Sequence, residues 1–342
     1  MFNNVYENIK NFIKRNYKSL IFYIVLCIVF LCPLNYYIIV GGGISEVGNR
    51  IEVENSYKSK GSFSLAYVSE IKGTIATYLL SYVMPDWKRV KMSDYTYYDE
   101  EDKKDIEFRG KIDLLNSNDF AIKNAYLSAG KSYVVSDTNL YVYLVDKDSK
   151  NKFKVGDKIL EVDGVKINSV DDYKEIIEKH NVFDVLDVMV ERNKKERIIK
   201  TTIYSSEDDN RKITGIYINS INTYKTNPKV NIKFKSSESG ASGGLIETLD
   251  IYNKLVKEDI TKGKKIAGTG EIDESGKIST IGGVKYKLLG AEKAGADIFI
   301  VPKGDNYNEC KKIKQKRNLK IKIIGVYTFD ETLEKLKKLK NK

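Results

Sequence analysis

At 342 residues, with 42% hydrophobic residues and a formal net charge of +11, the chain has room for two or three domains with real cores. The charge is spread through lysine-rich stretches and is densest from Lys335 to Lys342, with no zinc-finger spacing and no RNA-binding aromatic signature, which excludes nucleic acid as the expected partner. Solvated faces or an anionic membrane or wall environment fit it better, and the three cysteines give no disulfide framework.

Residues 1–18 form a basic segment with Lys10, Lys14, Arg15 and Lys18. From Ser19 to Ser45 there is no charge, and Leu20 to Leu34 is nearly continuous apolar sequence. A helix needs roughly 20 apolar residues to cross the hydrocarbon core. Residues 19–40 are therefore expected to be a transmembrane anchor that meets the lipid bilayer, with Tyr36 and Tyr37 at the interface. The basic flank predicts a cytoplasmic N-terminus and extracellular C-terminal domains, in the cell membrane as a single-pass protein. The run is long for a cleaved signal peptide, and no Ala-x-Ala site follows.

Residues 41–130 read as an extracellular β-rich and helical region. Gly41-Gly42-Gly43 is expected to be a hinge. Strand patterns follow at Ile51, Val53 and Ser62 to Val68, then a helix over 71–83. Trp87 to Arg109, charged and tyrosine-rich, is expected to be a loop or mobile hairpin. The Asp99 to Asp102 run lacks metal-ligand spacing and reads as a solvated face; no metal or cofactor is expected. Asn116 to Ala129 has the pattern of an amphipathic helix.

Residues 131–205 make a compact block. Leu140 to Val145 is a strand, Phe153 to Val165 a turn, strand and hairpin turn, Val170 to Lys179 a helix, and Asp184 to Glu191 another strand. Its Val155-Gly156-Asp157-Lys158-Ile159-Leu160-Glu161-Val162-Asp163-Gly164 segment resembles that of PDZ domains. The resemblance implies binding of extended peptides by strand addition. No glycine-rich carboxylate-binding loop is evident before Leu140, so a purely structural module is the other reading.

Residues 206–342 hold the chemistry. Strands are expected at Ile213 to Ile218, Lys229 to Phe234, Lys264 to Glu271, Lys277 to Ile281, Ile298 to Val301 and Lys320 to Ile324, with a last helix from Asp330 to Lys340. Ser242 lies among the small residues Gly240, Ala241, Gly243 and Gly244. It precedes a helical pattern (Leu245, Ile246, Leu249, Tyr252, Leu255), whose N-terminus suits a developing oxyanion. A serine needs a base. The single histidine, His180, lies far upstream in a charged stretch. Lysine is the alternative, provided that burial lowers its pKa from about 10.4. Lys285 follows Gly282-Gly283 at the start of an apolar-periodic helix and is the expected base.

The ordered pair Gly240-Ala241-Ser242-Gly243-Gly244 and Gly270-Glu271-Ile272 … Ile281-Gly282-Gly283-Val284-Lys285-Tyr286-Lys287-Leu288 resembles the proteolytic domain of Lon proteases. Ala241 stands where that family has proline, and Gly243 where it has alanine. The resemblance implies a Ser242–Lys285 dyad, a supporting Thr269 and a loop of Gly240, Ala241 and Gly243 around the oxyanion. No Gly-x-x-x-x-Gly-Lys-(Ser/Thr) phosphate loop is present. Anchor, PDZ-like module and Lon-like domain in this order resemble membrane-anchored, PDZ-containing Lon-like proteases. The expected fold is mixed α/β (α+β). The expected activity is ATP-independent serine endopeptidase action on extracellular peptides or unfolded segments, with homo-oligomerisation left open. The alternatives are an inactive membrane-tethered peptide-binding scaffold and a Ser/Lys amidase acting on wall material.

Overall fold

The computed structural model describes residues 2–98, 101–147, 149, 151–206, 210–235 and 238–342. The helices are α1 (Phe2–Leu31), α2 (Ile75–Leu80), α3 (Lys103–Ser128), α4 (Val170–Lys179), α5 (Gly244–Leu255), α6 (Val284–Lys293), α7 (Asp305–Arg317) and α8 (Phe329–Lys337). The chain divides into two compact units. One comprises residues 1–41 and 68–97, the other residues 42–67 and 98–342.

In the smaller unit, α1 ends at Leu31 and the chain continues as the strand Pro33–Glu46. Tyr36 to Ile39 pair antiparallel with the strand Lys88–Lys91. The expected membrane span of 19–40 is corrected on this point: among the described residues no helix is long and apolar enough to cross a membrane. The apolar run is shared between a helix and a strand. Its β-branched and aromatic second part, Tyr36 to Val40, has the composition of a strand. The glycines expected to form a hinge lie inside that strand instead.

Among the described residues the larger unit holds two large sheets and three two-stranded ones. In the first, four parallel strands lie in the order Lys322–Val326, Ile298–Pro302, Lys265–Gly268, Ser62–Thr74. Alternate residues face opposite layers, as the period of two demands. Phe63, Ile266, Ile298 and Ile300 pack with α5, α3 and α8 through Leu245, Leu249, Ile122, Tyr126 and Phe329. Ala66, Ala267, Phe299 and Val301 pack on the other side with Val284, Leu288 and Ala291 of α6 and Cys310 of α7. Burial pushes the Cys310 thiol up to about 12, so it is an inert core residue.

The helix α3 begins at Lys103, well before the expected Asn116, with the Asp102 carboxylate accepting from the Lys104 N–H as its cap. Asp99 and Glu100 of the acidic run lie outside the described residues. Glu101 is not solvated: it is buried and takes both terminal nitrogens of the buried Arg109.

The second sheet has the order Ile216–Asn227, Ser132–Val145, Lys158–Val162, Val185–Arg192, Lys195–Thr202, and it covers its own core with Tyr173 and Ile177 of α4. Those two residues are four apart and share the inward face. Ser169 and Asp172 close a capping box at the start of the helix. Ile216–Asn227 pairs along the whole of Ser132–Val145, so the sheet runs on past residue 205. The Asp157 of the Val-Gly-Asp segment is buried and accepts from Arg192 Nε and Nη2, both at 2.6 Å, and from the Lys154 N–H at 2.8 Å. Arg192→Met is expected to lower stability by about 3 kcal/mol, because it leaves that carboxylate buried without its cation. Urea unfolding of wild type and variant checks this; an unchanged midpoint would show the ion pair to be dispensable.

Candidate active site

The site lies at the C-terminal end of the parallel strand Lys265–Gly268. The next residue is Thr269, whose N–H donates to the Ile300 carbonyl at 3.0 Å. Helices from both faces of the sheet reach this edge: α5, which starts two residues after Ser242, and α6. The Ser242 carbonyl accepts from the Gly270 N–H at 2.9 Å and from Thr269 Oγ1 at 3.0 Å. The nucleophile's backbone is thus fastened to the strand end.

Lys287 Nζ stands 3.1 Å from Ser242 Oγ and 3.1 Å from Thr269 Oγ1. Thr269 is fully buried, and Lys287 retains only 5% of its exposure. Burial alone holds the Lys287 amine down to about 8. The expected base, Lys285, is corrected accordingly. Its ammonium lies over the Tyr286 ring, 5.5 Å from the centroid, and Lys287 is the lysine that meets Ser242. The reason is helical geometry. At 100° per residue, positions 285 and 287 point about 200° apart. Lys287 falls on the stripe of Val284, Leu288 and Ala291, all buried against the sheet, and Lys285 falls off it. That stripe is legible in the sequence, and it was the signal that separates the two lysines.

The helix α6 starts from Gly283 in the left-handed conformation, φ 68°, which glycine adopts without a Cβ penalty. Its seating depends on close backbone approach. A Cβ on Gly290 would lie 2.6 Å from the Gly42 carbonyl carbon, and one on Gly42 would lie 2.2 Å from the Tyr286 carbonyl oxygen.

Of the expected loop donors, Gly240 is spoken for: its N–H donates to the Gly110 carbonyl of α3 at 2.8 Å. The amides of Ala241, Ser242 and Gly243 make no hydrogen bond among the described residues. They sit at the N-terminus of a 12-residue helix, where the partial positive charge favours an anion. Ser117 Oγ of α3 donates to the Ala241 carbonyl at 2.9 Å and was not foreseen from sequence. His180 is placed elsewhere: its ring contacts the Ile176 carbonyl at 2.8 Å and Asp163 at 3.5 Å, at the end of α4. Among the described residues no group of acidic, histidine or cysteine side chains could hold a metal ion.

This arrangement can perform acyl transfer: a hydroxyl, an amine that is neutral in part near pH 8, and backbone donors at a helix N-terminus. The comparisons with known proteins agree with it. Residues 235–338 match the model of the Lon protease (S16) C-terminal proteolytic domain, and residues 126–203 match the PDZ domain. The chain is 34% identical over 97 residues to Lon protease of Trichlorobacter lovleyi, covering 28% of this chain and 12% of that one. To Lon protease of Clostridioides difficile it is 33% identical over 118 residues, 32% of this chain and 14% of that one. The chain thus spans a small fraction of the length of these relatives. The PDZ domain of the SdrC-like protein (Lmo2051) from Listeria monocytogenes shares 21% identity over 25% of this chain and 90% of that one, with a TM-score of 0.22. The chain therefore carries a Lon protease C-terminal proteolytic domain, the domain of a serine peptidase, together with a PDZ domain.

Proposed function

We propose that the chain is a serine endopeptidase that works through a Ser242–Lys287 dyad without nucleotide hydrolysis, cleaving peptides and unfolded segments. The observation that carries this is the 3.1 Å approach of a buried lysine amine to the serine hydroxyl. Neutral Lys287 takes the Ser242 proton as Oγ attacks the scissile carbonyl. Thr269 Oγ1 accepts one N–H of the amine and keeps its lone pair toward Oγ. The amides of Ala241 to Gly243 receive the developing oxyanion. Lys287 then passes the proton to the leaving amine, and a water that it deprotonates releases the acyl group.

The PDZ domain supplies a surface for extended substrate. Ile216–Asn227 is an edge strand, and α4 lies beside its start, tied by the Tyr173 hydroxyl to Thr214 Oγ1 at 2.8 Å. A peptide strand added there would bring unfolded chain to the enzyme.

The base sets the pH profile. Only the unprotonated amine can act, so kcat/KM is expected to rise with pH with a midpoint of about 8 and to level off above it. Hydrolysis of a quenched-fluorescent casein-derived peptide by wild type and Ser242→Ala between pH 6 and 10 checks both points. Activity in Ser242→Ala, or a flat profile in the wild type, would refute the proposal.

A further inference from the structure

Arg50 lies in the turn between the strands Pro33–Glu46 and Ile51–Val53, far in sequence from Ser242. Its guanidinium nonetheless reaches both ends of the serine loop. Nη1 donates to both carboxylate oxygens of Glu238 at 2.9 Å, and Nη2 donates to Glu247 Oε1 at 2.6 Å. Glu238 stands four residues before Ser242, and Glu247 five residues after it on the first turn of α5. The Arg50 and Glu247 side chains keep 13% and 1% of their exposure, and that of Glu238 keeps 25%. A buried carboxylate on the helix that follows the nucleophile is costly. Burial pushes Glu247 up to about 7 even against the pull of Arg50. Its neighbour Asp250 has its own cation, Lys254, at 3.0 Å. Glu247 therefore depends on Arg50, and Arg50 is shared with the loop.

Between Glu238 and Ser242 the loop is held separately, by the Gly110 carbonyl on the Gly240 N–H and by Ser117 Oγ on the Ala241 carbonyl. We propose that Arg50 is a positioning residue for the nucleophile: its fork locks the entry of the serine loop to the helix that leaves it, and so keeps Ser242 Oγ within reach of Lys287. A planar fork with two directions of donation does this; a lysine ammonium does not. Misplacing a reacting atom by about 1 Å costs on the order of 100-fold in rate, so a clamp of this kind acts on kcat.

The inference rests on the peptidase reading, and the test separates the two. The full chain is assayed on the same peptide as wild type, Glu238→Gln, Arg50→Lys, Arg50→Gln and the double variant Arg50→Gln/Glu238→Gln. Glu238→Gln weakens the tie to the loop, removing its charge and one of its two acceptor oxygens, while leaving the Arg50–Glu247 pair intact. It is expected to lower kcat about 10-fold, with KM, melting temperature and the pH midpoint near 8 unchanged. Arg50→Lys is expected to lose about as much, and Arg50→Gln roughly 100-fold. The double variant is expected to be no worse than Arg50→Gln, because both substitutions break the same link. If the wild type cleaves and Glu238→Gln keeps its kcat, or if kcat falls only in step with the folded fraction, Arg50 has no positioning role. A wild type that cleaves nothing would instead overturn the peptidase reading itself.

Discussion

Lys287→Met is expected to reduce kcat/KM by at least about 1,000-fold, and to leave a protein at least as stable as the wild type at pH 7. The first part follows from general-base catalysis, which contributes roughly 100- to 10,000-fold, acting on a serine whose hydroxyl meets the Lys287 amine and, among the described residues, no other base. The second follows from linkage. The amine is lowered from 10.5 to about 8 by burial. Between those values the unfolded chain binds more protons than the folded one, so wild-type stability rises as pH goes from about 8 to 10.5. Below 8 the full penalty of burying the ammonium is present, about 3 kcal/mol for a shift of that size. Methionine removes that penalty. It also strands the Ser242 hydroxyl, at a cost of about 1 kcal/mol, while Thr269 keeps its bond to the Ser242 carbonyl, which leaves a net gain of about 2 kcal/mol at pH 7. The gain is expected to disappear above pH 10.5. Melting curves at pH 7 and pH 10.5 check the sign. A marked loss of stability at pH 7 would mean that Lys287 is held as a structural cation rather than a depressed base.

Gly290→Ala is the second large effect. Gly290 lies on α6 one turn after Lys287, and its Cβ would fall within 2.6 Å of both the Gly42 carbonyl carbon and the Gly43 nitrogen. Those are backbone atoms of a strand and cannot swing aside as the tip of a flexible side chain can. Relief requires α6 to move outward, and Lys287 moves with it. Overpacking of this kind costs about 1–3 kcal/mol in stability. A displacement near 1 Å at the amine costs on the order of 100-fold in kcat. The two are measured separately, by urea unfolding and by turnover at saturating peptide. A variant with wild-type kcat would show that α6 seats without this contact.

Much of the site was legible before the fold. Ser242 among small residues ahead of a helical pattern and a lysine after Gly282-Gly283 declare themselves locally, whereas Thr269, expected inside a strand from Lys264 to Glu271, was marked only by the resemblance. What failed was the choice between two lysines two positions apart. That choice depends on which helix face meets the sheet, and only the stripe Val284, Leu288, Ala291 marks the face. The first half of α3 was hidden for a different reason. Its buried positions before Asn116 are Arg109 and Ile112 alone, so its inward face is in part polar and leaves no apolar period to read. Arg109 is polar because of its partner Glu101, as further along the helix Ser117 is because of the Ala241 carbonyl and Asp119 because of Tyr133 and Asn222. Arg50 was illegible in the same way, since its worth lies in joining residues nearly 200 positions away. The strand from Pro33 was missed because an apolar run does not by itself distinguish helix from strand.

The most direct test is to locate the covalent adduct of a reactive peptide ester by peptide mapping and mass spectrometry, in wild type, Lys285→Ala and Lys287→Ala at pH 8. Modification is expected on Ser242 in the wild type and, at a rate within about two-fold, in Lys285→Ala, with none on the same timescale in Lys287→Ala. An adduct on another residue, or Ser242 acylated at wild-type rate without the Lys287 amine, would contradict the dyad.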